Sequence, residues 1–498
     1  MRVRSSFGTV AAMENAARAA EMLKRVGRMV EGFLDDLMQM APNDLDCLAL
    51  ERSAMTVVLD LGLSMMKEVF RRADEQASEV IVQGSRWGNR AVSKGTYSTK
   101  FGTFTLDRSG YQQSGRGRVL FPLDLRLGIV EGRYTPGMAR LMAQTIAQMP
   151  AEDGEAYLEE LGLGRVSKST LHRIPQDMAA LLERDRVAIE AVIRGESRVP
   201  EGTHTVQVGM DGVMVPMDGE DIKPRGRKTT TPQRPRHERH HGVTTPSPAD
   251  DDGKKGVAYH EASVGTLSFF DVQGEHLGTV YTARMPEYRK ATLSATLEAE
   301  LSAIIQDCPT VQVAFASDGA VTHWEHLTGM QGRLPEGICS RQLLDFCHGA
   351  KYLFDAAKLV EPDEGKAMAM AEGWRAALRH RLDGPDIVLR ALRYQRDACE
   401  SEDQREELNT IIDYFAEHKR QGRLAYKAAA NDAFPIGTGT TEAAAKTVVN
   451  VRMKRAGARY TPHGGQTILC FRSALLSGRF DLTMREIVKR YSAEVRAA

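Results

Sequence analysis

Thr205-Val206-Gln207-Val208-Gly209-Met210-Asp211-Gly212-Val213-Met214-Val215 is an apolar, β-rich run with a carboxylate at its centre. The near-continuous apolar pattern reads as a largely buried strand. An ionised carboxylate withdrawn from water is costly unless it is paired or bound to a metal, so Asp211 needs a partner. Downstream, residues 257–270 and 277–283 read as two more strands joined by a turn at Gly274, and 291–306 as a helix. Val311-Gln312-Val313-Ala314-Phe315-Ala316 reads as a fourth strand ending on Ser317-Asp318-Gly319-Ala320. Leu343-Leu344-Asp345-Phe346 reads as a short fifth strand leading into a helix.

Three strands, a helix, a strand, a helix and a strand is the element order of the RNase H-like fold, in which the first and fourth strands are neighbours. Asp211 and Asp318 would then face one another. Two close carboxylates repel, and a divalent cation relieves the repulsion. Alone, Asp318 is what a Ser-Asp-Gly turn would also contain; the pairing with Asp211 in this element order favours the metal reading. A third acid follows in Gly437-Thr438-Gly439-Thr440-Thr441-Glu442-Ala443-Ala444-Ala445-Lys446, a glycine turn and an alanine-rich helix with Thr440 as the expected cap. A glutamate in a first turn also simply complements the helix dipole. What lifts Glu442 above that is the segment beyond it, where Arg452, Lys454, Arg455 and Arg459 join Lys446 in placing positive charge where a phosphate backbone would lie.

Away from this core, residues from about 9 to 82 read as helices broken at Ala41-Pro42-Asn43-Asp44, and Thr96 to Leu106 alternates as a β-hairpin. A helix around Glu155 to Leu161, a turn at Gly162-Leu163-Gly164 and a Ser-capped helix bearing Lys168, His172 and Arg173 resemble a helix-turn-helix reader of DNA, although so short and permissive a pattern favours two helices packed in any helical domain. The proline-rich stretch 217–256 lacks apolar periodicity and reads as a flexible loop. Its Arg225, Arg227, Lys228, Arg234, Arg236 and Arg239 suit non-specific phosphate contacts, and His237, His240 and His241, without paired cysteines, read as solvated. The expected organisation is multidomain α+β: a helical region (1–90), a small β-hairpin region (91–135), a helical DNA-binding region (136–200), an RNase H-like α/β core (201–349), a helical insertion (350–432) and the C-terminal helices of the core (433–498).

The run Pro435 to Glu442, then Lys446, Arg452-Met453-Lys454-Arg455-Ala456-Gly457, Gly464-Gly465-Gln466, Leu469 and Arg472 to Gly478 resembles the C-terminal signature of bacterial insertion-sequence transposases. The resemblance is to the ISKra group, related to the Mutator-like DDE enzymes. Asp211 to Val215, Glu261 to Gly265, Ala283 to Tyr288, Ser317 to Ala320 and Leu344 to His348 match it in order, so it runs from about Gly95 to Phe480. It implies Asp211, Asp318 and Glu442 as catalytic, metal-holding acids for two Mg²⁺ ions, with Mn²⁺ able to substitute. In such sites the ions stand ~4 Å apart and activate first a water and then a DNA 3′-hydroxyl. Asp345 and His348 match a motif near the active site, as accessory residues or as a strand end with a packed histidine. It also implies double-stranded DNA partners, namely terminal inverted repeats and target DNA, and a homodimer or larger synaptic complex. The chain departs from its relatives in lacking a cysteine pair after the hairpin, so a zinc ribbon is not expected, and in the length of its proline-rich loop.

Composition is compatible but not directive. The 66 Lys and Arg residues balance 66 Asp and Glu, so any DNA-binding surface must be local. Six scattered cysteines form no C-x-x-C pair, as suits a reducing compartment. The N-terminus reads as amphipathic helix, not signal peptide, and no uncharged run approaches a membrane span, so a bacterial cytoplasmic protein, nucleoid-associated when bound to DNA, is expected. Two rivals share these features: a nuclease on the same core, and an inactive DNA-binding regulator.

Overall fold

The computed structural model describes residues 4–39, 41, 46–113, 117–163, 166–218 and 258–498. The arginines and histidines of the proline-rich stretch lie outside these, as does most of the break after residue 41. The chain forms two compact units, residues 1–178 with 484–498, and residues 179–483.

The first unit opens with α1 (Arg4–Gln39) and α2 (Cys47–Ala73). Asp46 caps α2, its Oδ1 accepting from the amides of Leu48 and Ala49. Helix does not continue to residue 82 as the sequence suggested: β-branched Val80–Val82 is β1, its alternate side chains buried. The hairpin is longer than expected, β2 (Ser85–Thr99) pairing antiparallel with β3 (Gly102–Gln112). It is anchored by Phe70, Tyr97 and Phe104, whose rings meet at 4.7 and 5.1 Å from Phe70. Tyr97 donates to Asp124 at 2.6 Å, and Arg108 closes the network. Short helices α3 (Pro122–Leu127), α4 (Pro136–Gln148) and α5 (Ala151–Glu160) lead to α6 (Lys168–Arg184). Between α5 and α6 Gly162 turns the chain at φ +68°. Leu158, Leu171, Ile174 and Met178 are buried, which leaves Lys168, His172 and Arg173 together on the exposed side of α6.

The second unit contains α7 (Arg186–Glu196), β4 (Thr205–Met217), β5 (Ala258–Phe270), β6 (His276–Arg284), α8 (Ala291–Asp307), β7 (Gln312–Ser317), α9 (Val321–Gln331) and β8 (Ser340–Leu344). Its five strands lie in the order β6-β5-β4-β7-β8, antiparallel from β6 to β4 and parallel from β4 to β8. Side chains alternate across a strand. Val206, Val208 and Met210 accordingly pack with α8 and α9, while Val213, Val215 and Met217 pack on the other face. That other face is covered by α15 (Gly439–Ala444), a π-helical turn (Ala445–Asn450), α16 (Val451–Met453) and α17 (Pro462–Leu476). Between β8 and α15 stand α10 (Phe346–Val360), α11 (Glu364–His380), α12 (Gly384–Ala398), α13 (Glu402–Arg420) and α14 (Tyr426–Asn431). Their core gathers Trp374, Leu378, Leu389, Leu392, Leu408, Ile411 and Phe415.

Two expectations need correction. The fifth strand stops at Leu344, and Asp345 is instead the N-cap of α10. The end of the chain is not wholly helical core: α18 (Phe480–Tyr491) runs into β9 (Val495–Ala497), which pairs antiparallel with β1 and completes a sheet β3-β2-β1-β9. Among the described residues no helix is long and apolar enough to cross a membrane.

Candidate active site

β4 and β7 run parallel in register from Thr205↔Gln312 to Gly209↔Ala316. Two residues past that last pair each strand reaches its aspartate, Asp211 on one and Asp318 on the other. By the two-residue period both lie on the face covered by α15. The helix can approach because residue 209 has no side chain: a Cβ there would stand 2.0 Å from Thr441 Oγ1. Thr441 in turn bonds Thr266 Oγ1 on β5 at 2.7 Å, and this clamp carries Glu442 to the mouth of the site. Thr440, the expected cap, does not cap. Thr438 precedes the helix, and Thr440 Oγ1 is buried with no hydrogen bond among the described residues.

Asp211, Asp318 and Glu442 line one cavity of about 920 Å³, together with Asp345, His348, Lys446, Asn450, Lys454, Arg455 and Arg459. Burial raises the pKa of Asp211 to about 6, reinforced by the charge of Asp318 and, to a lesser degree, of Glu442. Its Oδ1 accepts the Gly212 amide at 2.7 Å, and among the described residues it makes no ion pair. For Asp318, burial is outweighed by the His323 imidazole, the Ala320 amide and His348, which hold it well below the usual carboxylate range. Glu442 is exposed and bonds Lys446 one turn on, at 2.8 Å. Among the described residues, no three His, Cys, Asp or Glu side chains stand close enough together to hold a metal ion as they are. The donor set nonetheless suits a hard divalent cation: an uncompensated half-buried carboxylate, a second beside it, and an orphaned Asn450 Oδ1 in the same cavity.

Asp345 serves the site indirectly. One oxygen accepts from the His348 amide at 2.7 Å and the other from the Thr438 amide at 2.7 Å, so it pins the start of α10 to the turn before Glu442. The ring of His348 rests on Tyr352, centroids 5.4 Å apart. Lys446, Lys454, Arg455 and Arg459 are exposed around the cavity, and the strand-like bridge Met217↔Tyr460 ties their segment to the end of β4. Arg452 does not join them. It is only 3% exposed, because the helical turn after Val448 and Val449 carries it inward beside Met453. In the first unit Lys168 pairs with Glu152, and Arg173 with Asp177 at 3.6 Å. Glu261 and His323, which the sequence did not single out as site residues, also belong here. Glu261 lines the cavity, and His323 is buried between it and Asp318.

No family model matches the chain and no curated protein matches it.

Proposed function

We propose that this chain is a DNA transposase that cuts and joins DNA strands with divalent cations held by Asp211, Asp318 and Glu442. The observation that carries the reading is the convergence of three acids from separate segments on one cavity rimmed by Lys446, Lys454, Arg455 and Arg459. The strand order, with the first strand between the second and fourth, is the one an RNase H-like core requires, and it supports that assignment. Asp211 and Asp318 supply oxygens for Mg²⁺, or Mn²⁺ in its place. When bound, the cations neutralise phosphate charge and activate a water or a 3′-hydroxyl for in-line attack.

The remaining work falls to the chain. An exposed pair such as Glu442–Lys446 is worth about 0–1 kcal/mol, so Glu442 would be available to hold a cation at little cost, which would leave Lys446 for the phosphate backbone. Lys446, Lys454, Arg455 and Arg459 grip the backbone without reading sequence. Reading of the element's terminal repeats falls to the exposed side of α6, through Lys168, His172 and Arg173. Two ends must be joined, which requires a homodimer or larger synaptic complex on double-stranded DNA.

A second reading is an inactive DNA-binding regulator, in which Glu442 keeps Lys446 as its partner and holds no cation. The deciding assay is cleavage and strand transfer on DNA carrying the element's own flanking ends, with Mg²⁺, for wild type and Glu442→Gln. The transposase reading expects wild type to cut and join and the variant to bind only. Cutting without joining would mean a nuclease, and binding alone by wild type would mean a regulator.

A further inference from the structure

We infer that His323 is a positioning residue of this site: acting through the Ser317 hydroxyl, it fixes Asp318 so that Oδ1 is occupied and Oδ2 is left for a cation. The inference rests on the reading of Asp318 as a metal ligand. His323 lies near the start of α9, 3% exposed, with Nδ1 3.3 Å from Ser317 Oγ and 3.7 Å from Asp318 Oδ1. A serine hydroxyl has one proton to give. The Asp318 Oδ1 at 3.2 Å is a nearer acceptor than the Met210 carbonyl at 3.5 Å, so the proton goes to Asp318. The serine oxygen then accepts from Nδ1–H, which sets both the tautomer and the ring orientation. The Ala320 amide gives Oδ1 a second donor at 3.2 Å. No hydrogen bond among the described residues reaches Oδ2.

The far side of the ring faces a fixed carboxylate beyond hydrogen-bond reach. Its Nε2 lies 3.9 Å from Glu261 Oε1, and that oxygen is held by Lys290, whose Nζ also reaches Ser263 Oγ at 2.6 Å. Lys290 occupies its place against three local preferences. It and Arg289 both sit at φ 50°, left-handed for residues that carry side chains. Lys290 is also the N-cap of α8, with no side-chain capping bond and a positive charge at the wrong end of the helix dipole. A left-handed non-glycine residue is strained and persists where the surroundings impose it, typically at functional sites. The bonds from His323 through Ser317 to Asp318 are the arrangement by which outer residues orient a metal ligand.

The test measures Mn²⁺ affinity by the paramagnetic resonance of free Mn²⁺, alongside kcat and KM for end cleavage, in His323→Leu, His323→Asn, Ser317→Ala and Asp318→Asn. For His323→Leu we expect Mn²⁺ affinity and kcat each to fall by about 10–100-fold with KM for DNA within about twofold of wild type. His323→Asn, which keeps a donor, should recover most of both. If His323→Leu does not fold, Ser317→Ala decides, and it should lower both quantities in the same direction. Wild-type affinity and kcat in His323→Leu or, failing that variant, in Ser317→Ala would overturn the inference, as would equal losses in the Leu and Asn variants. Full Mn²⁺ binding and activity in Asp318→Asn would instead overturn the metal reading beneath it.

Discussion

Asp211 is a half-buried acid without a compensating cation, and that has a measurable consequence for stability. Its folded pKa, about 6, lies above the ordinary 3.8. The folded chain therefore binds this proton more tightly than the unfolded chain does. As far as this group is concerned, stability is greatest below about pH 4 and is lost as pH rises towards 6, beyond which the penalty is constant. Asp211→Asn should stabilise the cation-free protein at pH 8 by about 1–3 kcal/mol, with the gain vanishing below pH 4, as read by urea unfolding. Added Mg²⁺ should stabilise wild type and not the variant. A variant no more stable at pH 8 would mean the carboxylate is already satisfied. Asp211 stood out in the sequence as a charge in an apolar strand, whereas Asp318, one residue past β7, stood out only through the order of elements. Arg452 was equally legible from its helical spacing to Val448 and Val449, yet grouping it with Lys454 and Arg455 hid that. Nothing local marked His323, whose partners come from β5 and β7.

At the scale of elements, the contact of α15 with the sheet decides where Glu442 stands. Gly209→Ala should destabilise the second unit by about 1–3 kcal/mol, since the new methyl meets Thr441 Oγ1. Gly209→Ala combined with Thr441→Ala should recover part of that loss. A thermal-unfolding cycle showing simple additivity would mean that the helix shifts freely and the clamp is not specific. The π-helical turn Ala445–Asn450, directly after α15, was not legible, because one widened turn leaves the apolar spacing of Ala444, Val448 and Val449 intact. On α6 the exposed basic side makes a separate claim. Lys168→Ala and Arg173→Ala should weaken DNA binding, each lowering the slope of log affinity against log salt by about 1 if it contacts a phosphate. An unchanged slope would leave both as partners of Glu152 and Asp177 alone. Asp345 shows why a five-residue strand is hard to end by inspection: its capping of α10 and its bond to Thr438 join segments far apart in sequence.

For the whole molecule, the succession of strands and helices followed from periodicity and the neighbouring of the first and fourth strands from the fold that succession suggested, whereas the division into units did not follow from either. β9 is three residues long, and its partner Val80–Val82 lies at the other end of the chain, so no window of sequence contains the pair. Removing residues 493–498 would expose the outer edge of β1 and uncover Val80 and Val82, which pack against Ala493 and Val495. That truncation should lower the melting temperature of the first unit and promote association through the bare strand edge, while Mn²⁺ binding by the second unit stays as in wild type. Equal melting temperatures would reduce β9 to an ornament of the fold. The same pairing makes the closing segment a key to the N-terminal sheet. A chain lacking it, offered the missing stretch as a free synthetic peptide, would work as a split reporter whose reassembly registers completion of a sheet begun some four hundred residues earlier.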